Sequence, residues 1–509
     1  MVDTILQGFS LALSLETFGA LSAGILLGMF VGAVPGLTIM MALVILLPVA
    51  FFFPPLIGIP FLLGIFKGGY YGGGIPAVLL SIPGTAAAIP TCIDGHPLSL
   101  KGQARKALDM VLYSSVIGDT ISNILTLLCI GPIAVIALKL GPPEMVTIVL
   151  LAFVVVSTVS RGAVVKGLIM AFVGLFFSMI GQDPLGFMSR FTFGSFELRA
   201  GIPLVPMLIG AFAVPEVLMT VEKGAADYLS KKMELSNLGQ RLKFSEFRRC
   251  VRTILRSTAI GFGVGICPGI GGVVAAFTGY ALAKKSSKHP ETFGTGELEG
   301  VAACEAADNA TNGPELIPLL TLGIPGDSAT ALLFGAFMAQ GIRPGPQLMQ
   351  EQGPLIYGIL ISMVIGNILF LIMGYFTMPL WARVIQVNRA LLLPMISVIA
   401  FGAAYMFRSN PFDLLIVVFF GIFGYFARKF HFDMGPMVMG FLLGPIIEFS
   451  LGQTLNMADG NLFHWILFNR PIATGIFMVI PLLGIWSLLK GVRQRRKGDR
   501  SRLPMKGGA

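Results

Sequence analysis

Positive charge is missing from the first 66 residues of this chain, and charge of either sign is scarce throughout. Lys, Arg, Asp and Glu together make up 12% of the 509 residues. A soluble protein of this size needs far more polar surface, so a soluble globular enzyme or binding module is excluded. Cysteine is sparse as well. Cys92, Cys129, Cys250, Cys267 and Cys304 contain no Cys-x-x-Cys pair and no zinc spacing, so neither a disulfide framework nor a cysteine metal centre is expected. The glycine-rich run Gly68-Gly69-Tyr70-Tyr71-Gly72-Gly73-Gly74 is not followed by Gly-Lys-Ser/Thr. It is not a phosphate loop, and the chain shows no ATPase site. No basic region precedes the first apolar stretch, which argues against a cleaved signal peptide.

What is present is apolar: 55% of the residues, with 63 Gly and 40 Phe. Stretches of about 18 or more apolar residues alternate with short polar joints, the pattern of transmembrane helices. In hydrocarbon the backbone must satisfy its own hydrogen bonds, so such stretches are helical, and a β-barrel would show short alternating segments instead. The net charge of +10 is unevenly placed. Residues 223–256 carry Lys223, Lys231, Lys232, Arg241, Lys243, Arg248, Arg249, Arg252 and Arg256, and the tail from Lys490 carries eight more. Lys and Arg collect in cytoplasmic loops. The middle segment and the C-terminus are therefore placed inside and the N-terminus outside, and the basic charge is read as a topology signal with no nucleic-acid partner.

Residues 18–53 are uncharged. As one helix they would run about 54 Å, against a hydrocarbon core of about 30 Å. Val34-Pro35-Gly36 lies at the middle and must break the stretch, either into a tilted pair of spans or into a re-entrant hairpin with Pro35-Gly36 at its tip. Residues 257–283 have Cys267-Pro268-Gly269 at their centre and basic residues on both flanks, which favours a hairpin there. Further crossings are expected within 56–91, 107–138, 144–160, 163–181, 203–220, 298–339, 355–380, 391–407, 412–428, 435–449 and 472–490. The expected fold is an all-α polytopic membrane protein with about 11 transmembrane spans plus two re-entrant hairpins, arranged in two inverted repeats. Its parts are an N-terminal segment 1–17, a first membrane repeat 18–222, a basic cytoplasmic linker 223–256, a second membrane repeat 257–490 and a basic cytoplasmic tail 491–509.

The repeat is visible residue by residue. Val31-Gly32-Ala33-Val34-Pro35-Gly36 matches Val264-Gly265-Ile266-Cys267-Pro268-Gly269, and Ile75–Gly84 matches Ile317–Gly326 at six of ten positions. Val116-Ile117-Gly118-Asp119 then matches Val364-Ile365-Gly366-Asn367. By the charge assignment the first copy starts outside and the second inside. Inverted repeats with interrupted helices in matching places mark secondary transporters, and the interruptions point to the binding site.

Pro removes an amide and Gly frees the backbone, so Ile82-Pro83-Gly84-Thr85 and Ile324-Pro325-Gly326-Asp327-Ser328 each expose unpaired backbone groups. A bare packing kink is the alternative. Helix N-termini at such breaks can hold an anion. The substrate site is therefore placed at Pro35, Gly36, Ile82, Pro83, Gly84, Thr85, Pro268, Gly269, Pro325, Gly326, Asp327 and Ser328, with backbone amides at the two breaks as donors. The two Pro-Gly tips are expected to approach each other near the membrane midplane. Glu305, Asp308, Asn309, Thr311 and Asn312 form an oxygen-rich cluster suited to a coupling Na⁺ or H⁺, since ionisable residues within a membrane are functional candidates; a partly solvated helix start is the bland alternative. Asp119, Asn123 and Asn367 are expected to face the bundle interior. Asp94-Gly95-His96-Pro97 reads as a turn, with no second ligand to make His96 a metal site.

Tyr71-Gly72-Gly73, Leu79-Leu80-Ser81-Ile82-Pro83-Gly84-Thr85 and Thr91-Cys92-Ile93-Asp94-Gly95-His96-Pro97-Leu98 resemble the large membrane subunit of tripartite tricarboxylate transporters, the TctA family. So do Gly300–Ala310, Leu320–Gly326 and Gly341-Ile342-Arg343-Pro344-Gly345-Pro346. The likeness spans nearly the whole chain. It departs at Gly74, His96, Cys304 and Asp308, where the family usually has Ser, Tyr, Pro and Asn. The resemblance implies a bacterial inner-membrane system with a small membrane subunit and a periplasmic solute-binding protein. It also implies uptake of carboxylates such as citrate, driven by an ion gradient through an elevator-like motion, with no cofactor. A homo-oligomer is compatible with it. A membrane-embedded hydrolase or an anion channel are the competing classes. The former lacks a nucleophile set, and the latter does not need inverted breaks.

Overall fold

The computed structural model describes residues 2–159, 164–183, 186, 188–222, 239–384, 389–458, 465 and 469–481. Residues 223–238 of the basic linker, Arg161, the end of the expected 472–490 crossing beyond 481, and the whole 491–509 tail lie outside the described residues.

In chain order the helices are α1 (Val2–Ala12), α2 (Leu15–Ala33), α3 (Ile39–Ala50), α4 (Pro55–Leu80), α5 (Ile89–Leu100), α6 (Ala104–Ala137), α7 (Pro142–Val159) and α8 (Val164–Ser178). A two-residue antiparallel pair, β1 (Gly181–Gln182) and β2 (Ser189–Arg190), follows. Then come α9 (Leu204–Glu222), α10 (Phe244–Ile266), α11 (Gly271–Ser286), α12 (Leu298–Asn309), α13 (Leu316–Leu322) and α14 (Ser328–Ala339). The last are α15 (Leu348–Glu351), α16 (Gly353–Val384), α17 (Arg389–Arg408), α18 (Pro411–Lys429) and α19 (Met434–Met457). Among the described residues six helices are long and apolar enough to cross a membrane: Leu15–Ala33, Ala104–Ala137, Leu204–Glu222, Gly353–Trp381, Pro411–Lys429 and Met434–Met457. Shorter apolar helices accompany them, so the chain is a multi-pass helical membrane protein.

The long uncharged stretch breaks where Pro35-Gly36 stands. The Thr38 hydroxyl accepts the Met41 amide at 3.2 Å and starts α3 anew. The second stretch breaks between Ile266 and Gly271. The 257 boundary falls inside α10, which begins in the basic linker where the Glu246 carboxylate accepts the Lys243 amide at 2.9 Å, and which carries Arg248, Arg249, Arg252 and Arg256. Asp94-Gly95-His96-Pro97 is helical rather than a turn. It lies within α5, held there because Asp94 Oδ1 accepts the amides of Gly294, Gly296 and Glu297 at 2.8–2.9 Å and Oδ2 accepts the Tyr280 hydroxyl at 2.9 Å.

The described residues divide into two packed units, one drawn from 1–139 with 202–426 and the other from 140–201 with 427–481. In the first, α2 lies against α4 with small residues between them: a side chain at Gly28 or Gly68 would run into the backbone of the other helix. Such close approach is how helices associate where no hydrophobic effect drives them. In the same unit α6 packs on α12 and α16 packs on α2 and α4. In the second unit α19 packs on α7 and on α8, the latter through Gly174 and Gly440, each set against backbone of the other helix.

Candidate substrate and ion site

The two Ile-Pro-Gly breaks have the same local structure. α4 ends at Ser81 in the left-handed region, φ 57°, and α13 ends at Gly323, φ 72°. The amide of Ile82 reaches back to the Pro76 carbonyl at 3.3 Å, and that of Ile324 to the Pro318 carbonyl at 3.2 Å. Each shares its carbonyl with the amide of the left-handed residue before it, Ser81 on Pro76 and Gly323 on Pro318, and those bonds are the six-to-one closure of a helix C-terminus. Each break then opens a new helical turn with an oxygen-bearing cap: the Thr85 hydroxyl accepts the Ala88 amide at 3.2 Å, and Asp327 accepts the Thr330 amide at 2.7 Å. The first break is partly open, with Ser81 exposed and Ile82, Pro83 and Thr85 half-buried. At the second, Ile324, Pro325 and Gly326 are buried.

Each Pro-Gly tip rests on the break of its own half. Gly84 meets the Gly32 carbonyl just before Pro35-Gly36, and the Gly269 amide donates to the Gly326 carbonyl at 2.6 Å. The helices that follow cross over. α3 packs on α14, while α11 packs on the 86–88 turn and α5. The substrate residues named from the sequence are thereby brought into one region of the first unit.

The expected ion cluster is buried but not uniform. Glu305 Oε1 accepts the Thr91 hydroxyl at 2.7 Å, and Oε2 accepts the Ser115 hydroxyl at 3.1 Å. Asn309 donates to Ser115 Oγ and to the Glu305 carbonyl, both at 3.0 Å. Asn312 Nδ2 lies 3.4 Å from Asp119 Oδ1, and the Thr311 hydroxyl donates to the Asp308 carbonyl at 2.8 Å. Asp119, Asn123 and Asn367 are buried, as expected of residues facing the bundle interior. Lys67, fully buried, forms an ion pair with Asp119 at 2.7 Å and donates to Asn367 and to the Met363 carbonyl. Asp119 and Asn367 are the matching residues of the two copies, so one lysine is held by both.

Most backbone amides assigned as anion donors are already occupied. Ile82 and Ile324 close their helices, Gly84 donates to the Gly73 carbonyl at 3.1 Å, and Asp327 donates to Thr330 Oγ1 at 2.7 Å. The cause is the closure itself, which a sequence reading of Pro-Gly as a simple gap does not anticipate. Thr85, Gly326 and the Ser328 and Ala329 amides that open α14 remain as donors, the last two because a helix start leaves its first amides unpaired and Asp327 caps only Thr330.

Two residues at the site were not singled out from the sequence. Tyr70 donates its hydroxyl to Asp327 Oδ2 at 3.1 Å, linking α4 to the second break. Glu315 lies against Gly326, where an added Cβ would come 2.9 Å from its Cγ. Glu315 is one apolar turn from Pro318 in a charge-poor segment, and that isolation was the available signal. Among the described residues no group of three or more His, Cys, Asp or Glu is arranged to hold a metal ion.

Comparison with known proteins agrees with this architecture. A family model described as the tripartite tricarboxylate transporter TctA family matches residues 18–439. An uncharacterized 52.8 kDa protein in the TAR-I ttuC' 3' region of Agrobacterium vitis is 35% identical over 97% of this chain and 98% of its own length. An uncharacterized protein in the TAR-II ttuC' 3' region of the same organism is 37% identical over 46% of this chain and 96% of its own length. No solved structure matches.

Proposed function

The chain belongs to the tripartite tricarboxylate transporter TctA family, and from that premise we propose that it is the large membrane subunit of a gradient-driven importer of tricarboxylates or related carboxylates. A periplasmic solute-binding protein delivers the substrate, a small membrane subunit accompanies the chain in the inner membrane, and the N-terminus faces the periplasm. The observation that carries the reading is the pair of similarly closed breaks, each seated against a Pro-Gly tip. Two copies of one interrupted unit in opposite orientations give a site reachable from either side, which is the geometry alternating access needs. The full count of about 11 spans with two hairpins belongs to the same reading.

A multivalent carboxylate is strongly hydrated, and stripping its water is costly unless donors replace it. The first break offers the Thr85 amide and hydroxyl at the start of a helical turn, with the dipole of α5 behind them. The second break faces Asp327 and the acidic Glu315 and Asp308, so an anion reaches it only when cations offset that charge. Coupling to a cation gradient follows from this repulsion. The test is uptake of radiolabelled citrate into membrane vesicles carrying the chain with its two partners. Saturable accumulation that collapses with the ion gradient is expected. Loss of intact citrate to a product would favour an enzyme, and unsaturable flux a channel.

A further inference from the structure

Both carboxylate oxygens of Glu315 are buried without a hydrogen-bond partner, and the residue is 0% exposed. Two more acidic side chains lie close by: Asp327 follows Gly326, against which Glu315 packs, and Asp327 and Asp308 stand over the adjacent Gly271 and Gly272. Asp308, on α12, leaves Oδ1 equally unpartnered, directed at Gly272 of α11. Asp327, opening α14, lies over Gly271 and takes the Tyr70 hydroxyl on Oδ2. The hydroxyl of neighbouring Thr311 is committed to the Asp308 carbonyl. Among the described residues no Lys or Arg pairs with Glu315, Asp308 or Asp327, and buried Lys67 is taken by Asp119, Asn367 and Met363. Glu315 and Asp308 are buried, with half-buried Asp327 beside them, and ionised carboxylates cannot stay buried side by side without compensation.

We propose that Glu315, with Asp308 and Asp327, is the seat of a monovalent cation, H⁺ or Na⁺, and that this seat rather than Glu305 carries the coupling ion of the transport reading above. Glu305 already has a hydroxyl on each oxygen, whereas the hydroxyl beside Glu315, that of Thr311, is donated to the Asp308 carbonyl. Glu315, Asp308 and Asp327 are neighbours but do not converge on one point as a divalent cation requires, and only Glu315 and Asp308 Oδ1 offer free oxygens. A proton would sit on a Glu315 oxygen. A Na⁺ would take Glu315 with Asp308 Oδ1. Either neutralises the pocket beside Gly326 and lets an anion approach the second break, so the cation binds before or with the substrate.

The test is cation binding to the purified full chain in lipid nanodiscs, with ²²Na⁺ in one arm and proton uptake between about pH 5 and pH 9 in the other. Wild type is expected to bind saturably in one arm. Glu315→Gln loses that signal, and Glu246→Gln, on the basic segment, keeps it. If Glu315→Gln does not fold, Glu315→Asp keeps the charge on a shorter stem and is expected to weaken binding of the same cation. Wild-type binding in Glu315→Gln, unaltered affinity in Glu315→Asp, or no binding of either cation to wild type overturns the proposal. The assay needs no carboxylate. A chain that binds the cation but does not accumulate citrate refutes the transport reading and leaves this seat standing.

Discussion

At Asp94 one carboxylate oxygen accepts three backbone amides, and the other accepts a tyrosine hydroxyl. Removing it would orphan three donors in a site where Asp94 is 0% exposed. An unsatisfied buried amide costs about 1–3 kcal/mol, and these three, being only part-buried, each cost toward the lower end. Asp94→Ala should therefore lower the melting temperature of the detergent-solubilised chain markedly, and Asp94→Asn, which keeps an acceptor, should lower it less. Ser81 and Gly323 offer a second residue-scale measurement. Both sit in the left-handed region, where a non-glycine residue costs about 1–2 kcal/mol. Ser81→Gly should raise thermal stability and Gly323→Ala should lower it. Glu246 gives a pH dependence. Burial works to raise its carboxyl, but the Lys106 ammonium at 2.7 Å and the Lys243 amide outweigh it and hold Glu246 below its usual range. A depressed carboxylate stabilises the fold above its ordinary value of 4.5 and loses that contribution as pH falls through its lowered one. Glu246→Gln should flatten the acid side of a stability–pH profile.

The elements were legible in the sequence to different degrees. The two tips and the two Ile-Pro-Gly breaks could be read directly, because Pro and Gly in an apolar run have few other uses in a membrane. Asp94 could not: Asp-Gly-x-Pro is a turn signal locally, and the contacts that make it helical come from residues 280–297, far along the chain. The amide donors failed for a related reason, since helix closure consumed them. Glu315 is not legible in the sequence, because its importance comes from Gly326, beside Asp327, being folded onto it. Gly84 tests the element scale. A methyl group there would press on the Gly32 carbonyl and Gly73 Cα, both backbone atoms that cannot turn aside. Gly84→Ala should therefore separate the first break from its tip and abolish citrate uptake while the protein still reaches the membrane.

For the whole molecule, orientation and site stand or fall separately. Cysteines introduced in 223–238 and beyond 490 should be shielded from an impermeant maleimide added to intact cells, and labelling of both from outside would invert the topology. The central claim, that a carrier holds its carboxylate at two matched breaks, is tested most directly by radiolabelled citrate accumulation in vesicles bearing wild type, Pro83→Ala and Pro325→Ala. Restoring an alanine lets the interrupted helix regain an amide and continue. The account predicts saturable, gradient-dependent accumulation of intact citrate by wild type and its loss in both variants at normal membrane levels. Undiminished accumulation in both variants would contradict it.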